Sequence, residues 1–353
     1  MQILVINPGS ITTKIAVYHD ETPLFTKTLA HSRAELSQFA DVIEQRDFRR
    51  NLILDQLRAN DFEPRFDAVI ARGSLAKAVE SGVFEVNAKM TEDACTAFDK
   101  HACDLGCVIA REIADMNPGT LCLTADPGSV DEMNDYAHIT GSPMLPKHCI
   151  WHALNQRAIA RRYAREHGTT YEQLNLLICH MGGGISIAAH DHGRAVDVNN
   201  ALNGDGPFSP ERAGTLPAGQ LIDLCFSGRY SREELQQRVA GRAGMSAHLG
   251  INDLREALKR IDEGDDHARL IVNAMIYHTA KHIAALSAVL RGKVDAILLT
   301  GGMAHSDYMV SRLKEYLSWL APIAVYPGEN EMLALAQNAL AVLNGEISPK
   351  TYE

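Results

Sequence analysis

Two stretches of this chain repeat one pattern: an apolar strand, a polar residue, a glycine-containing turn and a second strand. Residues 1–20 (MQILVINPGSITTKIAVYHD) carry it around Asn7, and residues 176–191 (LLICHMGGGISIAAHD) carry it around His180. A third strand-to-glycine junction follows at 298–302 (LLTGG). A P-loop or a dinucleotide fingerprint opens a helix after its glycines. Here the chain returns to a strand in the first two cases, which rules out a P-loop at Asn7–Lys14 and disfavours a dinucleotide fingerprint at the second. Two such junctions opening separate halves predict a duplicated α/β fold with a cleft between the halves.

The rest of the chain fits that reading. Short β-branched runs predict strands over 3–6, 15–18, 68–71, 121–124, 176–179, 185–189, 296–300 and 323–326. Amphipathic spacing predicts helices over 35–59, 88–115, 150–167, 232–240, 267–291, 307–317 and 331–343. A length of 353 residues allows two domains. They are expected at 1–150 plus 331–353, with the last helix returning to the first domain, and at 151–330.

A net charge of −10 argues against nonspecific binding to nucleic acid or anionic membrane. The opening residues read as a buried strand rather than a signal peptide, and no window has the roughly 18 apolar residues of a membrane helix. The seven cysteines show no CxxC pair, as expected of reduced thiols in a cytoplasmic protein.

Five segments carry candidate chemistry. In Asn7-Pro-Gly-Ser-Ile-Thr-Thr-Lys14, Gly9 lets backbone approach a ligand, while Ser10, Thr12 and Lys14 offer donors to phosphate oxygens. A hairpin turn rich in turn formers explains that segment equally well when it is taken alone. In His180-Met-Gly-Gly-Gly, the run Gly182, Gly183, Gly184 at a strand exit suits close backbone approach. Gly301 and Gly302 could let an adenosine lie on backbone, although a tight turn into a helix would look the same. Residues 199–217 (NNALNGDGPFSPERAGTLP) form a stiff loop carrying Arg212, whose guanidinium fork suits phosphate or carboxylate, although a solvated surface arginine would read the same. Arg72 and Asp126 follow the strands 68–71 and 121–124, the strand ends where open α/β sheets bind ligands. His152 stands at a helix start, and Glu331 stands at a loop-to-helix junction, where it also favours the helix N-terminus.

Other patterns are weaker. His278 and His282 share helical spacing but lack the glutamate of a HExxH zinc site. His190 and His192 flank Asp191 in an expected exposed turn. Cys103 and Cys107 lie one helical turn apart without further ligands nearby.

Taken together, NPGSITTK, HMGGGIS, VDVNNALNGDGPFSPERAGTLP, LLTGGMAHS and YPGENEMLALA resemble the butyrate kinase branch of the acetokinase family, in order and over nearly the whole chain. The resemblance implies two actin-like (ribonuclease H-like) domains with a duplicated βββαβαβα core, a nucleotide cleft between them, and a homodimer or higher homo-oligomer. It implies ATP and Mg²⁺ as cofactors and a small-molecule carboxylate as acceptor. Carried over, Asn7 belongs to the first phosphate loop, and Arg72 and Arg212 hold the carboxylate and the transferring phosphoryl. His180 stabilises that phosphoryl, and His152 is a second active-site histidine. Asp126 and Glu331 serve Mg²⁺, directly or through water, and Gly301 and Gly302 serve adenosine. One departure is the pair Cys103 and Asp104, where a more neutral polar pair is expected.

The implied reaction is phosphoryl transfer from ATP to a short-chain fatty acid such as butyrate, reversibly. Kinases of acetate, propionate or branched acids share these features. An actin-like ATPase acting as a conformational switch would share the phosphate loops but need neither arginine. A sugar kinase would need a carboxylate base, a role open to Asp126. A dehydrogenase is disfavoured by the strand that follows the glycines.

Overall fold

The computed structural model describes residues 1–97 and 101–353. The chain forms two compact units, Met1–Asp131 with Asn330–Glu353, and Glu132–Glu329. The segment 132–150, attached to the first domain in the sequence reading, packs within the second unit. There the Asn134 N–H donates to the Val196 carbonyl, and Lys147 Nζ sits 2.8 Å from Asp197 Oδ1.

The first unit holds a six-stranded sheet of β1 (Gln2–Pro8), β2 (Thr12–His19), β3 (Thr22–Ala30), β4 (Ala68–Arg72), β5 (Val83–Glu85) and β6 (Leu121–Ala125), in the order β3-β2-β1-β4-β6-β5. The second holds β7 (Asn175–Met181), β8 (Ile185–Asp191), β9 (Arg194–Val198), β10 (Ala296–Gly301) and β11 (Ile323–Pro327), in the order β11-β10-β7-β8-β9. Without β5, the two orders are the same. Each starts with an antiparallel meander and continues into two parallel crossover strands. The duplication read from the two glycine turns is therefore present in full.

The central strands are buried on both faces, which is why they read as continuous apolar runs rather than alternating ones. Ile3, Leu4, Val5 and Ile6 are fully buried, as are Leu176 to Cys179 and Ala296 to Leu299. Each such Val, Leu or Ile side chain contributes roughly 1.5–3 kcal/mol of burial free energy. The second core is closed by the helix Asp266–Leu286, which lays Val272, Met275, Ile276 and Ile283 against Leu177, Cys179, Ile187 and Leu299.

The long helix that follows β6 and the helix after β11 change places between the sheets. Ala153–Glu166 packs Ile159, Ala160 and Tyr163 on Leu176, Ile178 and Leu298 of the second sheet. Glu331–Leu343 packs on β1 and β4 of the first.

Several expectations need correction. The helix expected over 35–59 is three pieces: Arg33–Leu36, a 3₁₀ turn Val42–Gln45, and Arg46–Ala59. Ser32 and Asp41 each accept a backbone N–H at an N-cap, so each starts a new turn. The helix expected over 88–115 divides into Ala88–Thr96 and Asp104–Ala114, and its residues 98–100 lie outside the described ones. The pair His190 and His192 divides. β8 runs on to Asp191 and the hairpin turns at His192 and Gly193, both at positive φ, so His190 is fully buried and only His192 is exposed.

Candidate active site

In the first unit the chemistry gathers at the ends of β1 and β4. Asn7 is buried next to the end of β1, and its Nδ2 donates to Glu331 Oε2 at 2.7 Å. Arg72 ends β4 and places Nη1 3.4 Å from the same oxygen. Glu331 opens its helix, where a carboxylate also meets the positive end of the helix dipole. Sequence spacing suggested that dipole role; the structure adds that Glu331 ties two predicted site residues together.

Between β1 and β2 the turn is tight, with the Gly9 N–H donating to the Thr12 carbonyl at 2.7 Å. Ser10 is exposed, Thr12 half-buried, and Lys14 pairs with Asn7 in the ladder. The turn is held from behind by a residue that sequence reasoning missed. Arg49 is fully buried, and its guanidinium donates to the carbonyls of Gly9 (2.8 Å), Thr12 (3.1 Å) and Ser10 (3.2 Å) and to Thr13 Oγ1. Gln45 Oε1 accepts twice more. Burial brings its pKa down to about 10, so it stays charged at neutral pH. No local pattern announces a contact 40 residues from its loop.

The backbone after Arg72 is fixed by Asp104, the departure noted in the sequence. Asp104 is fully buried and accepts from Ser74 Oγ, the Leu75 N–H and the His101 N–H, each at 2.7 Å. Burial raises its pKa against those three hydrogen bonds. Gly73 is required here, because a Cβ would stand 2.6 Å from Thr124 Oγ1 and 2.7 Å from Pro127 Cβ. Asp126 follows β6 with φ at +39°, a left-handed conformation unusual for a non-glycine residue. It is held there by a reciprocal pair: its N–H donates to the Gly82 carbonyl at 3.0 Å, and the Gly82 N–H donates to its Oδ1 at 2.8 Å.

In the second unit His180, fully buried, ends β7 much as Asn7 ends β1. Its Nδ1 lies 2.8 Å from Asn155 Oδ1, which also accepts from Thr300 Oγ1 at 3.3 Å. Its Nε2 is 3.3 Å from Glu329 Oε1 but off the hydrogen-bonding direction, leaving that nitrogen without a bond. The His152 ring stacks on His180 with centroids 3.7 Å apart and planes 8° from parallel.

The glycine run bends under these rings. The Gly182 N–H donates to the Gly184 carbonyl, and the Gly183 carbonyl accepts from Ser209 Oγ (2.6 Å) and the Glu211 N–H. A Cβ on Gly184 would lie 3.0 Å from the Ala201 carbonyl oxygen. Ser209 Oγ also receives the Arg212 N–H, which anchors the arginine loop to the glycine loop. Burial lowers the Arg212 pKa, opposed by Glu211 beside it. The loop closes on Gly244, at φ +57°, where a Cβ would meet the Ser209 carbonyl oxygen at 1.9 Å.

Against this loop lies a cavity of about 780 Å³, lined by Gly182, Gly183, Gly302, Met303, Leu254, Leu258, Asn252, Asp253, Arg255, Ser306 and Tyr308 among others. It joins an apolar wall to a few polar groups, as a purine nucleoside requires. Gly301 has φ at +88° and a Cβ there would clash with Met181, so its junction with β7 needs glycine. The polar lining from Asn252 to Arg255 was not found from sequence, since it falls between predicted elements and matches no motif.

The buried thiols of Cys103, Cys107 and Cys179 have pKa values raised by burial, and all seven cysteines are free. No group of three or more His, Cys, Asp or Glu side chains able to hold a metal occurs among the described residues.

Comparison with known proteins matches residues 148–334 to the model of the acetokinase family. The chain is 58% identical to a probable butyrate kinase of Bacteroides thetaiotaomicron, over 100% of both chains. It is 45% identical to butyrate kinase 2 of Clostridium acetobutylicum, covering 100% of this chain and 99% of that protein. Among solved structures, Porphyromonas gingivalis acetate kinase superposes with a TM-score of 0.79 at 18% identity, covering 97% of this chain and 99% of that one. A propionate kinase from Francisella tularensis gives 0.77 at 19% identity, covering 96% and 98%. At those identities the two structures speak for the fold, and the actin-like duplication is shared. With the family model spanning more than half its length and full-length relatives at 45% identity and above, this chain belongs to the acetokinase family.

Proposed function

We propose that this chain transfers the γ-phosphoryl group of ATP to the carboxylate of a short-chain fatty acid such as butyrate, giving an acyl phosphate and ADP, reversibly. The observation that carries the reading is the joining of a nucleoside-sized cavity to His180 and Arg212 through one glycine loop, in a chain 58% identical to a probable butyrate kinase.

A carboxylic acid with a pKa of roughly 4–5 is already ionised at neutral pH, so attack needs no general base. A bond forms between a carboxylate oxygen and the γ-phosphorus. The bond from that phosphorus to the β–γ bridging oxygen breaks, its electron pair leaves with ADP, and no proton moves. The barrier lies in bringing two anions together, so positioning and charge neutralisation govern the rate. Arg72 orients the carboxylate. Arg212, His180 and His152 receive the transferring phosphoryl, while Asn7, Gly9, Ser10, Thr12 and Lys14 cradle phosphate oxygens. The Gly182, Gly183 and Gly184 run and the Gly301–Gly302 junction carry the nucleotide.

Mg²⁺, when bound, neutralises phosphate charge. Such an ion is usually held by one or two carboxylates plus substrate phosphates, so a three-residue protein cluster is not required. Asp126 and Glu331 fit that pattern, and among the described residues the side-chain bonds of Glu331, to Asn7 and Arg72, are made through Oε2.

The enzyme works in the cytoplasm as a homo-oligomer. The chain has no described helix long and apolar enough to cross a membrane. The oligomer is supported by Ala218–Cys225 (AGQLIDLC), an apolar helix with no buried residue, followed by Phe226 at 88% exposure. Incubating the protein with Mg-ATP, a panel of C2 to C6 carboxylates and hydroxylamine tests the reaction. ADP and acyl hydroxamate are expected in equal amounts; ADP without hydroxamate would return the chain to the ATPase switches.

A further inference from the structure

Behind His152 a chain of buried side chains runs Tyr171, His190, Gln156, Ser186, and each of the four is at most 2% exposed. Tyr171 Oη lies 2.5 Å from His190 Nδ1, and His190 Nε2 is 3.0 Å from Gln156 Oε1. Gln156 Nε2 is 3.0 Å from Ser186 Oγ, and Ser186 Oγ is 2.8 Å from His152 Nδ1.

The direction of every hydrogen in this chain can be worked out. Gln156 Nε2 also lies 3.1 Å from the Ser186 carbonyl oxygen, which only accepts. The amide cannot flip without setting two acceptors against each other, so Oε1 faces His190. Because Oε1 only accepts, His190 carries its hydrogen on Nε2. Full burial beside Arg157 keeps this imidazole neutral, with its pKa down at about 3, so Nδ1 accepts from the Tyr171 hydroxyl.

At the other end, Ser186 Oγ accepts from Gln156 Nε2 and from the His152 backbone N–H at 3.3 Å. Both lone pairs are then filled, and among the described residues the hydroxyl hydrogen has one acceptor in reach, His152 Nδ1. We propose that this one-directional relay holds His152 as the neutral tautomer that carries its hydrogen on Nε2, making Gln156 and Ser186 positioning residues for that ring. The consequence reaches His180. Two imidazoles stacked 3.7 Å apart repel if both are charged. A His152 that has no place for a proton on Nδ1 therefore spares the stacked pair that repulsion. Tyr171 and His190 act further back, by holding the Gln156 amide.

The tautomer follows from the side chains alone, and only its effect on turnover rests on the kinase reading. Two-bond ¹H–¹⁵N NMR of the full-length protein with ¹⁵N-histidine tests it directly, with the His152 signals identified by their loss in His152→Gln. Wild type is expected to show His152 with a bare Nδ1 and a protonated Nε2. In Ser186→Ala, the Gln156 amide keeps the Ser186 carbonyl as acceptor, and His152 is expected to show signals averaged between tautomers. In a coupled assay kcat of that variant falls about tenfold, with the KM for ATP changed less than about twofold, as displacement of a positioned group requires. His190→Phe is expected to shift the same signals less than Ser186→Ala does. A His152 hydrogen on Nδ1 in wild type, or an imidazolium at neutral pH, overturns the inference whatever the activity. A bare Nδ1 in a protein that forms no acyl phosphate overturns the kinase reading and leaves the relay standing.

Discussion

The ends of β1 and β7 occupy matching places in two sheets of one topology, yet one carries Asn7 and the other His180. In both halves this residue reaches the first turn of the exchanged helix: Asn7 bonds Glu331, and His180 bonds Asn155. The neighbouring parallel strand presents Arg72 in the first half and Thr300 in the second. The first junction is thus an ion pair with a polar clamp. The second is a fully buried imidazole beside glycines and a cavity. Duplication supplied the strand ends and the helix N-termini, and the side chains at those fixed positions then divided the labour. In the proposed reaction, one half offers charge to an anion and the other offers shape to a nucleotide.

The turns beside the two junctions are also supported differently. Arg49 braces the first from behind with a charged fork, while Ser209 and the Glu211 N–H brace the second with neutral groups. Variants should separate these two designs.

The largest effect is expected from Arg212→Ala, which removes the cation of the second unit proposed to receive the phosphoryl. Turnover should fall at least about a hundredfold, about 3 kcal/mol in the barrier, with an unchanged far-ultraviolet circular dichroism spectrum. Near-normal turnover would remove Arg212 from the site. Next comes Arg49→Met, which leaves the carbonyls of Gly9, Ser10 and Thr12 without their donor. A loss of about 2 kcal/mol in urea unfolding is expected, together with a raised KM for ATP. A variant as stable as wild type would mean that the first turn needs no brace.

Third is a pH effect confined to the second unit. An ordinary imidazole titrates near 6.5, but burial, reinforced by Arg157, takes His190 to about 3. Between those values the unfolded chain binds a proton that the folded chain does not. Stability therefore falls as pH drops through that window, by up to about 1.4 kcal/mol per pH unit from this group. Urea midpoints measured from pH 7 to pH 4 should show a shallower slope in His190→Phe; an unchanged slope assigns the acid sensitivity to other groups. The smallest effect is expected from Glu331→Gln. It keeps an acceptor for Asn7 but loses the pairing with the half-exposed Arg72 and with the helix dipole, costing about 1 kcal/mol in thermal or urea unfolding. A loss several times larger would make the first junction as rigid as the second.

Much of this arrangement was legible in the sequence, because its carriers are local. The buried parallel strands announce themselves as apolar runs, and glycines mark where they end. Polar residues at those ends, Asn7, Arg72 and His180, were therefore placed correctly along the chain. What escaped is non-local or lacks the expected periodicity. β3, with a proline and mostly exposed residues, is an edge strand with no apolar stripe to betray it. β9 was signalled by a His-Gly hairpin turn that went unread, and with it went the burial of His190. Arg49 lies in an ordinary charged helix pattern, and only the folded chain brings it under the Gly9 turn. The relay behind His152 likewise draws on a helix, one strand and a 3₁₀ turn, which no predicted element contains together.

The central claim is direct transfer of phosphoryl to a carboxylate, and a single-turnover experiment reads it without intermediaries. Excess enzyme mixed with γ-³²P-labelled Mg-ATP and butyrate, quenched at intervals and resolved chromatographically, should move label into butyryl phosphate at the rate at which ATP disappears, with inorganic phosphate appearing only later. Label that goes from ATP to inorganic phosphate at the same rate with and without butyrate would contradict the account.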